Sequence, residues 1–303
     1  MRRLVDRPNS RSSHSTPTPR GGGLSIVAVT TCGLALLYAA GLLDLRLACA
    51  LIVGGLCVAA VGFWDDVRSA PILVRMIVHL GAAALAVYCL GRTSQGGAAG
   101  VILTVLAIAW CLNLFNFMDG IDGIAASEAV FVLSGAAVIG VFAARCSVEQ
   151  VAPELLAAAA CLGFVRWNWP PAAIFMGDVG SGYLGYAIAV IAMASAQSGA
   201  INIYAWIILA GVFLVDATVT LTVRSLRGER IYQAHRTHAY QRLARRWGSH
   251  FRVTLSVIIV NIVWLLPCAA LAVKFPGAAP GICILALAPL VLCALLIGSG
   301  RRE

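Results

Sequence analysis

Apolar runs long enough to cross a lipid bilayer recur along the whole chain, and they leave few folds open. In hydrocarbon every backbone N–H and C=O must be satisfied within the protein, so only α-helices and closed β-barrels can span it. A helical span takes about 20 mainly apolar residues. Ten such runs fall at roughly 24–43, 46–63, 72–90, 98–116, 124–144, 151–168, 181–197, 200–221, 253–273 and 278–298. They are continuous rather than alternating in polarity, which argues against barrel strands. The sequence therefore predicts an all-α, polytopic integral membrane protein with about ten transmembrane helices. The 151–168 run is the weakest, because Glu154 lies near its start and Trp167-Asn-Trp-Pro-Pro171 breaks its end. Composition agrees: 60% of residues are hydrophobic and 12% charged, against about 25% charged in soluble domains. No polar linker divides the chain, so residues 1–303 read as one membrane domain.

The first 23 residues are polar and basic, unlike a cleavable signal peptide, so the run from Leu24 doubles as the targeting signal. The ten cysteines lie mostly inside apolar runs without CxxC or Cys/His ligand spacing. They read as small buried hydrophobes rather than a zinc site or disulfide framework. With ten spans, one side of the membrane holds only Arg46, Arg92, Arg145 and Lys274, leaving 18 of the 22 Lys and Arg on the side of Met1. The positive-inside rule makes that side the cytoplasm. Residues 1–23 then form a cytoplasmic N-terminal loop and 222–252 a cytoplasmic Arg/His loop. The net charge of +9 suits anionic lipid or an anionic substrate at the inner leaflet. Basic residues spread over several short loops argue against nucleic acid as a partner.

Every acid-rich motif falls on this same side. Asp65-Asp66 ends an apolar run; two carboxylates can bind a hard cation, or one can act as a base tuned by the other. Taken alone, the pair is not specific, the bland alternative being a solvated helix end with Arg68 as partner. Asn113-Leu-Phe-Asn116-Phe-Met-Asp119-Gly-Ile-Asp122-Gly123 places two amides and two carboxylates in eleven residues. Asn113/Asn116 and Asp119/Asp122 have i, i+3 spacing and share a helix face if the helix continues. Such oxygens suit Mg²⁺, which takes one or two carboxylates and completes its octahedron with phosphate and water; the bland alternative is a self-capped helix end. Gly177-Asp178-Val-Gly180-Ser181 precedes the seventh run, where Asp178 and Ser181 could cap the helix or its N–H groups could meet a phosphate. The long basic loop carries Arg224, Arg227, Arg230, His235, Arg236 and His238; guanidinium forks read phosphate, though basic loops are common on this side. The His-x-x-His spacing with Arg236 inside it points to an anion rather than a metal.

Taken in order, Pro-Thr-Pro-Arg20-Gly-Gly-Gly23, Asp65-Asp66, Asn113-x-x-Asn116-x-x-Asp119-Gly-Ile-Asp122-Gly, Gly177-Asp178-x-Gly-Ser181 and His235-x-x-His238 resemble the polyprenyl-phosphate N-acetylhexosamine-1-phosphate transferases, glycosyltransferase family 4. The likeness runs from about residue 6 to residue 245. The Arg11-Ser-Ser-His14 loop and the His235-Arg-Thr-His-Ala-Tyr-Gln-Arg242 run look most like the branch that initiates O-antigen lipopolysaccharide or capsule synthesis at the bacterial inner membrane. The resemblance implies transfer of a sugar-1-phosphate from a UDP-N-acetylhexosamine, GlcNAc or a 6-deoxy relative, to undecaprenyl phosphate, releasing UMP. It also implies Mg²⁺, with Mn²⁺ as a substitute. By position, Asp178 with Asn116 or Asp119 would hold the metal. Asp65 would deprotonate the lipid phosphate or, as the lesser option, attack covalently, with Asp66 in support. Asp119 and Asp122 would shape the uridine pocket, and Asn113, Arg224, His235, Arg236 and His238 would meet substrate. Family members carry a span before the Pro-Thr-Pro-Arg loop, at which this chain starts. The lysines of the peptidoglycan branch are missing, the one Lys being Lys274 on the other side. The competing class is a multi-span transporter of an anionic substrate; a homodimer is an open option.

Overall fold

A computed structural model describes residues 5–6, 17–91, 97–230 and 235–301. Among them, twelve helices account for nearly all the regular structure: α1 Gly23–Ala39, α2 Leu45–Arg68, α3 Ile72–Leu90, α4 Gly97–Met118, α5 Ile124–Phe142, α6 Ala152–Asn168, α7 Asp178–Ser198, α8 Ile203–Leu209, α9 Gly211–Leu226, α10 Ala239–Trp247, α11 His250–Lys274 and α12 Ala279–Ile297. Two short strands, β1 Val5–Asp6 and β2 Thr18–Pro19, pair antiparallel with Val5 opposite Pro19.

All ten apolar runs are helical, as expected, but the count of ten spans is not what their lengths support. Seven described helices are long and apolar enough to cross a membrane, or eight if α8 and α9, bent by 78°, form one span. Helix α1 is apolar but has only 17 residues. Helix α6 also has 17, with Glu154 and Arg166 near its ends. The 200–221 run is broken at Ala210 rather than continuous. Two boundaries also move. Helix α2 runs to Arg68, so Asp65 and Asp66 sit in its last turns instead of following it. Helix α4 stops at Met118, so Asn113 and Asn116 are helical whereas Asp119 and Asp122 lie in the turn beyond and share no helix face.

Helix α7 is the hub, buried along most of its length against α2 and α4. The approach is close because glycine stands where the backbones cross. A Cβ on Gly62 would lie 2.5 Å from the Asp178 carbonyl oxygen, and one on Gly185 would lie 2.6 Å from that of Cys111. Small residues are the usual means of bringing helices together in lipid, where association relies on packing and hydrogen bonds. Helix α2 has a π-wound turn over Ala50–Gly54. The Ala50 carbonyl there accepts the Tyr186 hydroxyl of α7 at 2.8 Å, a typical way to satisfy a loosened ladder. A second π-wound turn, Asn261–Leu265 of α11, begins at a buried polar contact: Asn261 Nδ2 donates to Glu128 Oε2 of α5 at 2.6 Å. Since successive passes alternate in direction, the C-terminal ends of α2 and α4 meet the N-terminal ends of α5, α7 and α11 at one end of the bundle.

Candidate active site

The end where these helices meet gathers the acids. Asp66, with a fully buried side chain, accepts the backbone N–H groups of Asp178 (2.9 Å) and Val179 (3.1 Å). It therefore caps α7 from another helix, occupying the anion site that the four unpaired N–H groups of a helix start create. Gly177 makes room with φ 78°; a Cβ there would lie 2.6 Å from Asp66 Oδ2. Asp65 is the adjacent helical residue and points elsewhere. Its Oδ1 accepts Ala70 N–H at 2.7 Å and its Oδ2 accepts Arg75 Nη1 at 2.6 Å. Its carboxyl also reaches that of Asp178 at hydrogen-bonding range.

Asp178 is thus not the cap of its helix but its first residue, held from several directions. Arg20 bridges it to Asp66, with Nη2 at 2.6 Å from Asp178 Oδ1 and Nε at 2.8 Å from Asp66 Oδ1. Arg75 lies 3.6 Å from Asp178 Oδ2. Arg20 is placed by backbone: Phe175 N–H donates to Pro19 O at 2.8 Å, and Gly22 N–H to Phe175 O at 2.9 Å. Asn116 Nδ2 reaches Asp178 Oδ2 at a long 3.5 Å, and its Oδ1 accepts the Ser181 hydroxyl at 3.1 Å. Asn113 turns back to its own helix, donating to Ala109 O at 2.7 Å.

Asp119 completes the cluster. Burial, then the Asp178 carboxylate, push its pKa up to about 7; Asp66 and Asp122 add to the rise and Arg20 opposes it. Asp122 serves as a brace. Its Oδ2 accepts Ala172 N–H at 3.1 Å, its Oδ1 lies 3.2 Å from His250 Nδ1, and its carbonyl accepts the Thr254 hydroxyl at 3.0 Å. Beside it, Gly123 N–H donates to Asn168 Oδ1 at 3.1 Å.

The basic loop docks on this cluster through α10. The Tyr240 hydroxyl donates to Phe117 O at 3.0 Å, against Gly120. The loop residues themselves are divided. Arg224 is buried and paired with Glu229 at 2.7 Å. His238 is buried, 3.4 Å from Asp216 Oδ1. Asp216 accepts the N–H groups of Ala239 (2.8 Å) and Tyr240 (3.0 Å), capping α10 as Asp66 caps α7. His235 stacks on His238 with centroids 4.9 Å apart. Burial and the neighbouring His238 and Arg224 pull its pKa down to about 4, so it is neutral near pH 7. Arg236 is exposed. The Arg11–His14 segment lies outside the described residues.

The acidic motifs thus converge as their spacing suggested, whereas Arg224 and His238 are buried in contacts of their own. Sequence reading gave no role to Arg20 or Arg75, the two cations of the cluster, nor to His250. Arg75 had a legible signal, since an arginine inside an apolar run needs a partner.

Four carboxylates (Asp65, Asp66, Asp119 and Asp178) face two guanidinium groups here, Arg75 standing against both Asp65 and Asp178 and Arg20 against Asp66 and Asp178. Among the described residues no group of three His, Cys, Asp or Glu forms a metal cage. Magnesium does not need one, because it keeps water and takes substrate phosphate alongside one or two carboxylates. The surplus of carboxylate charge and the Asn116 amide oxygen, which accepts one hydrogen bond from Ser181 and keeps a second lone pair, fit such an ion.

A helical bundle with at least seven helices able to cross a membrane and a cluster of buried acids at one end is an integral-membrane protein. Residues 48–196, about half the chain, match the model of glycosyl transferase family 4, and the chain belongs to this family. That stretch contains Asp65, Asp66, Asn116, Asp119, Asp122 and Asp178 but not the basic loop. The chain is 29% identical to a probable undecaprenyl-phosphate N-acetylglucosaminyl 1-phosphate transferase of Bacillus subtilis, over 86% of this chain and 75% of that protein. It is 27% identical to decaprenyl-phosphate N-acetylglucosaminephosphotransferase of Mycobacterium tuberculosis, over 86% and 74%. A phospho-N-acetylmuramoyl-pentapeptide-transferase of Clostridium botulinum is 36% identical over 56% of this chain and 51% of its own.

Proposed function

We propose that this protein transfers a sugar-1-phosphate from a UDP-N-acetylhexosamine, GlcNAc or a 6-deoxy relative, to undecaprenyl phosphate, forming undecaprenyl-diphospho-sugar and UMP and initiating a cell-envelope glycan such as O-antigen. The observation that carries the reading is the convergence of Asp65, Asn116, Asp119 and Asp178, from three separate motifs, at the ends of α2, α4 and α7. The relatives' names supply the reaction class. The excess of Lys and Arg on the site's side supports a cytoplasmic face of the inner membrane.

Asp178, Asn116 and Asp119 would hold Mg²⁺, or Mn²⁺ in its place, and the ion would neutralise charge on the diphosphate of the donor. Asp66 and Arg20 fix Asp178 at the start of α7, so the ligand set is in place before substrate arrives. Asp65 is the group best placed to take the proton of the lipid phosphate. Arg75, hydrogen-bonded to it, orients that carboxylate and offers charge to the same phosphate. Exposed Arg236 and neutral His235 remain the loop's groups for the donor phosphates. Phosphoryl transfer needs mainly positioning and charge stabilisation, which this set supplies.

A groove of about 280 Å³ between α4, α7, α8 and α9, lined by Ile108, Leu114, Ile188, Trp206, Ala210 and Leu214, suits an isoprenoid tail. Leu114 lies in the last turns of α4, at the end of the bundle that carries the acids. A transporter would set polar groups at a mid-bilayer helix break; the break at Ala210 is lined by apolar side chains instead. The test is UMP release by the full chain with undecaprenyl phosphate, Mg²⁺ and a panel of UDP-GlcNAc, UDP-GalNAc and their 6-deoxy relatives. Release that disappears on chelation is expected; no release with any donor would sink the reading.

A further inference from the structure

A second polar cavity lies at the opposite end of the bundle. Helix α7 begins at Asp178 and has 21 residues, so its C-terminal end is about 30 Å from the acidic cluster. There the ends of α3 and α7 meet the starts of α2 and α6 around a cavity of about 390 Å³, within the range of small-ligand sites. Two of its lining groups are buried and without a hydrogen-bond partner: Oε2 of Glu154, a residue only 4% exposed, and Nε2 of Gln197. One is an acceptor and the other a donor, so a ligand must offer both senses of hydrogen bond. Arg46 also lines the cavity and supplies a cation. Asp44 lines the cavity as well, its Oδ1 accepting the N–H groups of Arg46 and Leu47 at the start of α2. Leu47, Leu90, Ile191 and Ile201 form the rest of the wall.

A carboxylate, a guanidinium and an amide donor beside apolar wall, at the depth where membrane helices end, match a zwitterion with a lipid body. We propose that this cavity binds the headgroup of an aminophospholipid, its ammonium against Glu154 and its phosphate against Arg46 and Gln197. An anionic headgroup such as glycerol phosphate has no cation for Glu154. A quaternary choline has no N–H to donate to it. The site lies in the leaflet away from the acidic cluster and stands independently of the proposed reaction.

The full chain, purified and stripped of lipid, is reconstituted in nanodiscs of phosphatidylglycerol doped with an equal fraction of phosphatidylethanolamine or phosphatidylcholine. Retained lipid is read by native mass spectrometry and melting by tryptophan fluorescence. Phosphatidylethanolamine is expected to be retained preferentially and to raise the melting temperature, as a ligand of the native state must. Glu154→Gln should lose the preference for phosphatidylethanolamine over phosphatidylcholine, while Arg46→Gln, at an exposed position, should weaken retention of both. Equal retention of the two lipids by the unmodified protein would overturn the proposal, as would unchanged preference in Glu154→Gln. If Glu154→Gln does not fold, undiminished retention in Arg46→Gln overturns it alone. A melting shift of the same size with soluble phosphoethanolamine would assign the cavity to a free metabolite and also refute a lipid site.

Discussion

Two carboxylates in this protein do the same structural job with opposite surroundings. Asp66 on α2 caps α7, and Asp216 on α9 caps α10, each by accepting two consecutive backbone N–H groups. Around Asp216 the charges are internally matched: Arg224 pairs with Glu229, and His238 packs on Asp216 itself. Around Asp66 they are not, since Asp65, Asp119 and Asp178 add acids that Arg20 and Arg75 only partly balance. The same cap therefore anchors a closed structural loop in one place and an open, charge-hungry site in the other. A cap holds geometry; the unbalanced neighbours are what leave chemistry to be done.

The contrast can be broken most sharply at Arg224. Replacing it with Gln breaks the buried ion pair with Glu229, and such losses cost about 3–5 kcal/mol; chemical denaturation should show it. Exposed Arg236→Gln should stay within about 0.5 kcal/mol of the parent while lowering kcat/KM for the donor. If Arg224→Gln were as stable as Arg236→Gln, the closed-loop description would fail. Next in size, Asp178→Asn and Asp65→Asn should each lower kcat by about 10²–10³-fold, the usual loss of one preorganised electrostatic group, with melting temperatures kept. Full turnover in both would remove the acidic cluster from the chemistry.

Loss of either cap is a smaller effect. Asp66→Asn and Asp216→Asn should each cost about 0.5–2 kcal/mol. Only the former should also depress Mg²⁺-dependent turnover, because only Asp178 rides on that cap; equal effects on turnover would erase the distinction. The smallest expectation concerns His235, whose pKa is lowered to about 4 in the folded protein from 6.5. The unfolded chain takes up a proton at this residue first, so its contribution to stability is present above about 6.5 and is lost as pH falls toward 4. His235→Gln should flatten that acid-side slope in melting temperature against pH.

Much of this was legible in the sequence. The apolar runs gave every membrane helix, because continuous hydrophobicity of that length has one solution in lipid. Their count was overstated, since periodicity does not reveal that Ala210 bends a run by 78° or that two runs yield helices of only 17 residues. The acidic motifs pointed to one site, yet the roles within Asp65-Asp66 could not be assigned. Adjacent helical residues diverge by about 100°, and which of them met α7 depended on the packing of Gly62. Arg20 was visible in its loop, but its bond to Asp178 spans 158 residues and carries no local signal. The basic loop was hard to read for another reason. Arg and His were read as ligands for phosphate, whereas Arg224 and His238 met Glu229 and Asp216 first.

The contact between Glu128 and Asn261 has a consequence in time. The two residues are 133 positions apart, and ribosomes add about 5–20 residues per second. Helix α5 therefore enters the bilayer on the order of ten seconds before its partner on α11 exists. Glu128 is the fifth residue of α5, and a buried acid without its hydrogen-bond partner is costly, so over that interval α5 depends on earlier helices to stay in place. Chains that stop short of residue 261 should be cleared by quality-control proteases although every acid of the site has already been made.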